Sequence, residues 1–598
     1  MDTTKLKKFA QLARRNLLEQ VTAKLDLVLA PSSAARRENA PAVIELEKQI
    51  QQTSREQLIE KVAYTWFNRF CAIRYMDVNG YTRIRVVSPA DESQVQPEIL
   101  AEAKMGHIDE DRIPEKTGKQ VAALLNGTLP SRDPQQEAYR LLLVAECNSF
   151  YRAMPYLFER IDDYTELLMP DDLLSANSIL AATREAMTPE DCSDVEVIGW
   201  LYQFYISEKK DDIFLGLKKN QKITPENIPA ATQLFTPHWI VRYLVENSLG
   251  RLWMLNHPNS PLAEQMEYYI RPEAPETDFL KIQNPEEIKV CDPACGSGHM
   301  LTYAFDLLYA IYEEVGTDPG DIPEKILTHN LYGIELDERA GNLAAFALTM
   351  KARAKQRRFF NKGIKPNICI LEKIEFDNDV LTEYMTIIGP ELSTQALYET
   401  LKQFEEADNF GSLIRPKLNN PQEVATRLKA KKPGSNLFLQ ETHEKVLAVL
   451  RQADYLSQKY QVVVANPPYM GGKGMNARLG AWAKKEYPNS KSDLFAMFIE
   501  RNLDLVVHKG AVGMITMQSW MFLSSFEALR TRILDLYTIL SMAHLGARAF
   551  DSIDGEVVST TAFILGNQHM PEYKGAYIRL VDGNSESEKS SMLKKAIQ

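Results

Sequence analysis

The stretch VCDPACGSGHML, residues 290–301, decides the fold of this 598-residue chain. A short apolar run ends at Cys291, and Asp292 and a proline close it. The two glycines that follow permit a tight turn and let a ligand come close to backbone N–H groups. A segment with helical apolar spacing then begins at His299. We therefore predict a buried strand, a glycine loop and a helix whose N-terminus favours a negatively charged group.

Strand-like and helical segments continue to alternate after this stretch. The further strand-like runs are NLYGIELD (330–337), KPNICIL (365–371), YQVVVANPPY (460–469), GAVGMITMQSW (510–520), TILSMAHLG (538–546) and VVSTTAFIL (557–565). Such alternation predicts an α/β fold with a largely parallel sheet covered by helices on both faces. Ligands in these folds bind at the carboxyl ends of the strands. Residues 375–455 are polar, helical in composition and locally basic, which predicts an insertion between two strands.

Two further regions flank the alternating segments. Residues 1–223 are predicted to form a helical N-terminal domain, and residues 571–598 the start of a truncated C-terminal region. The first helix is predicted from apolar residues at helical spacing, namely Leu6, Phe9, Ala13, Leu17, Val21 and Leu25. Because this N-terminal segment lacks the apolar core of a secretory signal, we expect the helix to pack on its own domain.

Composition and charge exclude some classes of protein. Apolar residues make up 45% of the chain, and no apolar run approaches the roughly 20 residues that cross a membrane. The six cysteines show no paired zinc spacing, so we expect a reduced cytoplasmic protein without a metal. A net charge of −11 argues against a protein that coats nucleic acid indiscriminately, although it leaves room for a local basic channel.

Acidic and glycine residues indicate a cofactor site rather than a phosphate loop. The chain has neither G-K-[ST] nor a full G-x-G-x-x-G after the strand at 290. Asp292 is placed to orient the glycine loop or to accept from an ammonium group. Glu335 ends the next strand, where an acid accepts both ribose hydroxyls of a nucleoside. Thr236 and Pro237 predict a helix start with a side-chain cap, and that helix N-terminus suits a carboxylate.

The motifs FTP (235–237), DPACGSG (292–298), GIELD (333–337) and NPPY (466–469) occur in an order that resembles the γ-type amino-methyltransferases, which use S-adenosylmethionine. IGWLYQFYISEKK, DNFGSLI, NPPYMGGKGMN and FDSIDGEVVSTTAF further resemble the PglX family, the adenine-specific methyltransferases of BREX phage-defence systems. The resemblance implies a Rossmann-like methyltransferase domain at 224–570. It also implies S-adenosylmethionine as cofactor, double-stranded DNA as substrate, other BREX proteins as partners, and susceptibility to DNA-mimic inhibitors from phage.

The resemblance assigns cofactor contacts residue by residue. They are Phe235, Thr236, Pro237, Asp292, Pro293, Ala294, Cys295, Gly296, Ser297, Gly298, Glu335 and Leu336. SDLFAMFIE (492–500) resembles motif V of these methyltransferases, which places Leu494 and Phe495 near the cofactor adenine. Motif III has two candidate acids, Asp379 and Asp408, and we favour Asp408 with Phe410 because an acid beside an aromatic ring suits a purine.

The NPPY stretch carries the predicted chemistry. An exocyclic amine on a base is a poor nucleophile, because its lone pair is delocalised into the ring. The Asn466 side-chain oxygen and the Pro467 carbonyl are predicted to accept its two hydrogens, while Pro467 and Pro468 fix the backbone. Tyr469 offers a ring on which a flipped base stacks. The glycine-rich residues 471–474 are expected to move as a lid.

Two other interpretations of these motifs stay open. Enzymes that methylate glutamine in release factors or guanine in ribosomal RNA carry similar NPPY loops, usually in shorter chains. A DNA-binding defence scaffold that keeps the fold but performs no chemistry is the second, since a family member can require partner proteins for activity. The DNA sequence that is recognised cannot be read from these residues.

Overall fold

The computed structural model describes residues 3–159, 164–431, 436–550 and 558–598. It divides into two compact units. The first unit comprises Met1–Glu208 and Thr349–Lys365, and the second comprises Lys209–Leu348 and Pro366–Gln598. The FDSIDGEVVSTTAF motif lies partly outside the described residues.

The first unit is built of helices, as the sequence predicts. Its opening helix, Thr3–Leu29, buries every apolar position named from the spacing, namely Leu6, Phe9, Ala13, Leu17, Val21 and Leu25. The other helices of this unit are Ala34–Glu38, Ala40–Gln52, Arg55–Val78, Glu98–Lys104, Glu115–Leu125, Pro134–Phe150, Tyr164–Leu167, Ile179–Ala186 and Glu196–Tyr205, with 3-10 turns at Asp191–Ser193 and Phe359–Lys362. Helices Ser207–Lys218 and Glu338–Lys355 contribute residues to both units.

The second unit contains a mixed sheet of eight described strands. They are β1 Val290–Asp292, β2 Leu331–Glu335, β3 Asn367–Ile370, β4 Tyr460–Ala465, β5 Val506–Met517, β6 Thr538–Gly546, β7 Thr560–Gly566 and β8 Ala576–Arg579. Their order across the sheet is β3-β2-β1-β4-β5-β7-β6-β8. β7 pairs antiparallel with β5 and β6, and the other pairs are parallel. The prediction of a largely parallel α/β sheet is therefore confirmed.

Helices connect these strands and cover the sheet. They are Ile228–Thr232, His238–Val245, Arg251–Asn256, His299–Glu314, Ile322–Lys325, Asn378–Ile387, Gln395–Gln403, Ala407–Phe410, Pro421–Lys429, Leu437–Ser457, Ala477–Glu486, Leu494–Leu505, Glu527–Leu536 and Glu586–Ile597. Two π-helical segments, Glu246–Gly250 and Ile326–Asn330, and 3-10 turns at Pro225–Asn227, Pro261–Glu264, Pro285–Glu287, Phe404–Glu406, Gly411–Leu413, Gln518–Met521 and Ser524–Phe526 complete the unit. Across the described residues, each helix is too short or too polar to pass through a bilayer.

The predicted insertion is helical and lies between β3 and β4. Its apolar side chains, among them Tyr384, Leu397 and Leu450, pack into the same core as the neighbouring strands β1 and β4. Because the chain passes from an edge strand to the centre of the sheet, this long crossover leaves the strand pairing intact. The insertion is thus part of the folded unit.

β8 was not expected from the sequence. Its residues alternate between half-buried and exposed, so the strand offers no continuous apolar run. It pairs in parallel with β6, from Ser541 with Ala576 to His544 with Arg579. The stretch assigned above to a following region therefore adds a strand to the sheet of the second unit.

Candidate active site

A cleft with about 960 Å³ of open space lies at the carboxyl ends of β1, β2 and β4. Six segments that are far apart in sequence meet there. Their lining residues include Gln233 to Thr236, Asp292 to Ser297, Glu335 and Leu336, Asn409 to Leu413, Asn466, Pro468, Leu494 and Phe498. Parallel strands bring their carboxyl ends to one edge, which explains why segments so distant in sequence converge.

The glycine loop after β1 depends on two left-handed residues. Gly296 has φ +53° and Gly298 has φ +85°, a region that is costly for side chains with a Cβ. A Cβ on Gly298 would also lie 3.0 Å from the Cα and Cβ of Ala344, whereas a Cβ on Gly296 would meet only Gln233 Nε2, at 3.5 Å. Gly298 therefore permits close helix packing, and Gly296 permits the turn itself.

Glu335 lies against this loop. One carboxylate oxygen accepts from the backbone N–H of Gly296 at 2.7 Å, and the other accepts from Leu336 and Asp337 at 2.9 Å each. Burial raises the pKa of Glu335 to about 7, and the charge of Asp337 adds to the shift. The acid predicted to bind a ribose thus faces the glycine loop from the neighbouring strand.

Asp292 is buried at the end of β1 and accepts from the Ala294 N–H at 3.1 Å. Burial raises the pKa of Asp292 to about 8, and the charge of Glu335 contributes. Asp292 therefore orients the start of the loop, one of its two predicted roles. Burial and the same two acids also hold the pKa of the Cys295 thiol well above its usual range, which argues against a nucleophilic thiolate.

Asn466 follows β4 and is held by its amide nitrogen. This nitrogen donates to the Leu234 carbonyl at 3.1 Å and to Thr236 Oγ1 at 3.0 Å. A backbone carbonyl only accepts, so these bonds fix which end of the amide is nitrogen. The predicted capping role of Thr236 is wrong: the helix begins at His238 without a side-chain cap, because the Thr236 hydroxyl bonds Asn466 instead.

Tyr469 holds the other end of the same amide. Its hydroxyl lies 2.8 Å from Asn466 Oδ1 and 3.2 Å from the Ile515 carbonyl of β5. Its half-buried ring stands edge-on to Phe495, with centroids 6.1 Å apart and an 87° interplanar angle. An amide oxygen has two lone pairs, so the bond from Tyr469 leaves Asn466 one acceptor site.

Some predicted residues lie outside the cleft lining. They are Pro237, Gly298, Pro467, Tyr469, Asp408 and Phe495. In motif V, Leu494 and Phe498 share one helix face and line the cleft, while Phe495 is 1% exposed and packs on Phe526. Of the two residues predicted from this motif, Leu494 therefore lines the cleft and Phe495 does not, and the four-residue helical spacing from Leu494 would have identified Phe498.

The insertion supplies a wall of the cleft. Asn409 and Phe410 line it, whereas Asp408 is half-buried beside them and Asp379 is exposed in the helix Asn378–Ile387. Phe410 stacks on Trp482, with centroids 4.2 Å apart and an 8° interplanar angle. Within the insertion, the sequence analysis missed Asn409 and Gly411 to Leu413, although the quoted DNFGSLI motif contained them. Elsewhere in the cleft it missed Gln233, Leu234, His299, Met300 and Phe498.

The glycine-rich loop after NPPY is tied down at several points. Gly472 N–H donates to the Ser492 carbonyl at 3.1 Å, and the Gly474 carbonyl accepts from Ile223 at 3.0 Å. Asn476 donates to Asn409 Oδ1 at 2.8 Å and caps the helix Ala477–Glu486. These bonds describe a closed loop joined to the cleft wall, and its predicted opening stays a prediction.

The chain is similar in sequence to a known protein family and to two known proteins. Residues 329–550 match the Eco57I restriction-modification methylase family model. The chain is 43% identical over 589 residues to the adenine-specific methyltransferase BrxX of Escherichia coli O9:H4 (strain HS), an alignment covering 92% of this chain and 47% of BrxX. It is 34% identical over 655 aligned residues to the adenine-specific methyltransferase PglX of Lacticaseibacillus casei (strain Zhang), covering 100% and 53%.

The chain spans about half the length of these two relatives. Among solved structures, the cryo-EM structure of the DrdV–DNA complex aligns with 99% of this chain and 44% of that chain, at 13% identity and a TM-score of 0.47. The relatives confirm the resemblance to PglX seen in the motifs. Residues 329–550 are therefore similar to the Eco57I restriction-modification methylases, and nearly the whole chain is similar in sequence to the adenine-specific methyltransferases BrxX and PglX.

Proposed function

We propose that this chain transfers a methyl group from S-adenosylmethionine to the N6 amine of an adenine flipped out of double-stranded DNA. The supporting observation is the position of Asn466, whose amide is fixed at both ends and lines the same cleft as the glycine loop. An acceptor held this firmly needs little ordering during the reaction. The match to adenine-specific relatives favours adenine over glutamine or RNA guanine as the target.

The cleft suits S-adenosylmethionine in several respects. Ionised Glu335 would accept from the ribose hydroxyls, and Asp292 would keep the glycine loop in place. The side chains of Phe410, Leu336 and Leu494 line the cleft and would offer apolar surface to the adenine ring. The helix N-terminus at His238 would face the carboxylate of the methionine portion. When bound, this cofactor supplies an electrophilic methyl group on its sulfonium sulfur, and no metal is required.

Asn466 and Pro467 would act on the target amine. Asn466 Oδ1 and the Pro467 carbonyl accept its two hydrogens, which favours the pyramidal nitrogen needed for attack. The same acceptors stabilise the positive charge that develops on nitrogen. Neither group is basic at neutral pH, so the proton released afterwards passes to solvent. The Tyr469 ring would stack on the flipped base.

The experiment that tests this function compares Asn466→Ala with the unaltered protein. Methylation of adenine in host DNA should fall at least about a hundredfold, as when one preorganised polar group is removed from an active site. Methylation-aware sequencing measures that loss. Calorimetry should give an S-adenosylmethionine Kd within about threefold of the unaltered protein, since Asn466 acts on the other substrate. Adenine methylation that persisted in Asn466→Ala would contradict the proposed mechanism.

Glu335→Ala serves as the matched variant for the cofactor. It should weaken S-adenosylmethionine binding by about tenfold or more, the value of a hydrogen bond to a charged group. If the chain were instead a DNA-binding scaffold that performs no chemistry, neither the unaltered protein nor Glu335→Ala would bind the cofactor.

The biological role that we propose is marking of host DNA in phage defence, in the cytoplasm and together with other BREX proteins. BrxX and PglX supply the support for this role. Sequencing DNA from cells with and without the gene would identify the methylated sequence. If the site binds DNA through basic edges, an acidic DNA-mimic inhibitor would compete for it, and high salt should abolish that competition.

A further inference from the structure

Two large apolar side chains are exposed side by side in the loop after β5. Phe522 is 60% exposed and Leu523 is 53% exposed. They follow the 3-10 turn Gln518–Met521 and precede the turn Ser524–Phe526. Single exposed apolar residues are ordinary, but an adjacent pair at a functional edge is a candidate contact surface.

The loop that carries this pair is held rigidly. The buried Trp520 donates through Nε1 to Thr516 Oγ1 at 3.1 Å. Arg530 donates to the carbonyls of Trp520 and Leu523 at 2.7 and 2.6 Å. The backbone N–H groups of Phe522 and Leu523 both donate to Ser519, at 3.2 and 3.0 Å. These hydrogen bonds therefore hold the backbone in a conformation that exposes both side chains to solvent, whereas a mobile loop could bury them.

The pair lies at the same edge of the sheet as the NPPY loop. β5 runs parallel to β4, so the residues after β5 and those after β4 share one edge of the sheet. A short series of contacts joins them: Tyr469 meets Phe495 at 6.1 Å, and Phe495 meets Phe526 at 5.7 Å. The Phe526 N–H then donates to the Leu523 carbonyl at 3.2 Å. A series of packed side chains therefore connects the pair with the NPPY loop.

Cationic and polar groups border the same place. The Phe522 ring centroid lies 6.0 Å from that of His544, which pairs with Arg579 across β6 and β8. The Arg579 side chain is 66% exposed, and its ion pair with Asp582, itself 71% exposed, is a weak surface contact. A phosphate group can therefore take the place of Asp582. An apolar tip with a nearby exchangeable guanidinium matches the chemistry of a DNA duplex, which has stacked bases inside and phosphates outside.

We propose that Phe522 and Leu523 form an apolar wedge that enters the base stack of duplex DNA next to the target adenine. The wedge offsets the cost of unstacking and unpairing the adenine and fills the space it leaves, so that the base reaches Asn466. This inference rests on the proposed adenine methylation and adds the residues that open the duplex. It requires no contact between the wedge and the cofactor.

The test uses the double variant Phe522→Ser/Leu523→Ser and two DNA duplexes with the methylated sequence read from host DNA. In one duplex the target adenine faces thymine, and in the other it faces an abasic site, where extrusion costs less. We expect methylation of the paired duplex to fall at least about tenfold, and that of the abasic duplex to change less than about threefold. The S-adenosylmethionine Kd and the melting temperature should stay unchanged.

Leu534→Ser/Leu536→Ser is the matched control, because these residues are 61% and 53% exposed on the neighbouring helix. This variant should methylate both duplexes normally. Three results would overturn the wedge. If the Phe522/Leu523 variant methylated the paired duplex normally, the wedge proposal would be wrong, but the mechanism proposed for Asn466 would be unaffected. Equal losses on both duplexes with a lower melting temperature would mean that the pair packs against protein. Absence of adenine methylation by the unaltered protein would overturn both proposals.

Discussion

Asn466 shows that the orientation of a single side chain depends on groups that lie far away in the sequence. Its position after β4 can be read from the NPPY motif, but the groups that hold its amide cannot. Leu234 and Thr236 come 232 and 230 residues earlier, and Ile515 of β5, which shares the Tyr469 hydroxyl, comes later. The sequence suggested a different partner for Thr236, the helix start, because local capping rules do not report on distant donors such as Asn466 Nδ2.

At this scale, Tyr469→Phe should lower kcat for methylation by about two- to tenfold, the worth of one net hydrogen bond. The change removes the hydroxyl that bonds Asn466 and keeps the ring for stacking. Tyr460→Phe is the control, since its hydroxyl donates to the Tyr455 backbone carbonyl at the other end of β4 and does not bond Asn466. Single-turnover kinetics would measure both variants. Equal loss in the two would mean that the hydroxyl merely stabilises β4.

A pH dependence follows from Glu335. Its pKa is about 7, so lowering the pH from 8 to 6 protonates most of this carboxyl and removes an acceptor for the ribose hydroxyls. We expect the affinity for S-adenosylmethionine to fall about tenfold over that range. Calorimetry at several pH values would measure it. In Glu335→Gln this part of the pH dependence should vanish, while any part due to Asp292 remains. If the variant and the unaltered protein gave identical pH profiles, Glu335 would not be the source of the dependence.

Among the elements, the loop between β1 and the helix His299–Glu314 was predicted closely. Its strand, its glycines and its helix start all follow from local rules, since left-handed turns require glycine. The contribution of the insertion to the cleft was harder to predict. Its existence was clear from composition, but which of its residues face the cleft depends on how five helices pack, and Asn409 rather than Asp408 lines the wall.

The two glycines of the loop give a prediction at the element scale. Gly296→Ala should cost about 1–2 kcal/mol, because alanine must adopt a positive φ in open space. Gly298→Ala should cost about 1–3 kcal/mol more, since its Cβ would also press on the Ala344 backbone. Urea denaturation of the two variants would measure the difference. Equal midpoints would mean that the helix Glu338–Lys355 moves aside at no cost.

For the whole molecule, the class of fold and seven of the eight described strands follow from the sequence. The antiparallel direction of β7 and the existence of the edge strand β8 do not, because strand direction and short amphipathic edge strands leave little trace in composition. The residues Thr349–Lys365, which belong to the first unit, also gave no signal, since the first of them continue the helix Glu338–Lys355 without a break.

All residues that line the cleft belong to the second unit, so cofactor effects should be confined to it. S-adenosylhomocysteine at a hundred times its Kd should stabilise this unit by about 2.7 kcal/mol. Hydrogen exchange should slow in residues 290–301, 333–337 and 466–470 and stay unchanged in Thr3–Leu29. A chelating agent should leave both effects intact if no metal takes part. Slower exchange confined to Thr3–Leu29 would contradict the assigned site.

All six cysteine thiols are buried and free of disulfide bonds. Cys295 alone among them borders the cleft, and burial keeps its thiol protonated and slow to react. A cysteine engineered into the surface would therefore be the fastest site for maleimide or spin-label chemistry, without prior removal of the native ones. Fluorophores attached in this way would allow single-molecule observation of the protein as it engages its substrate.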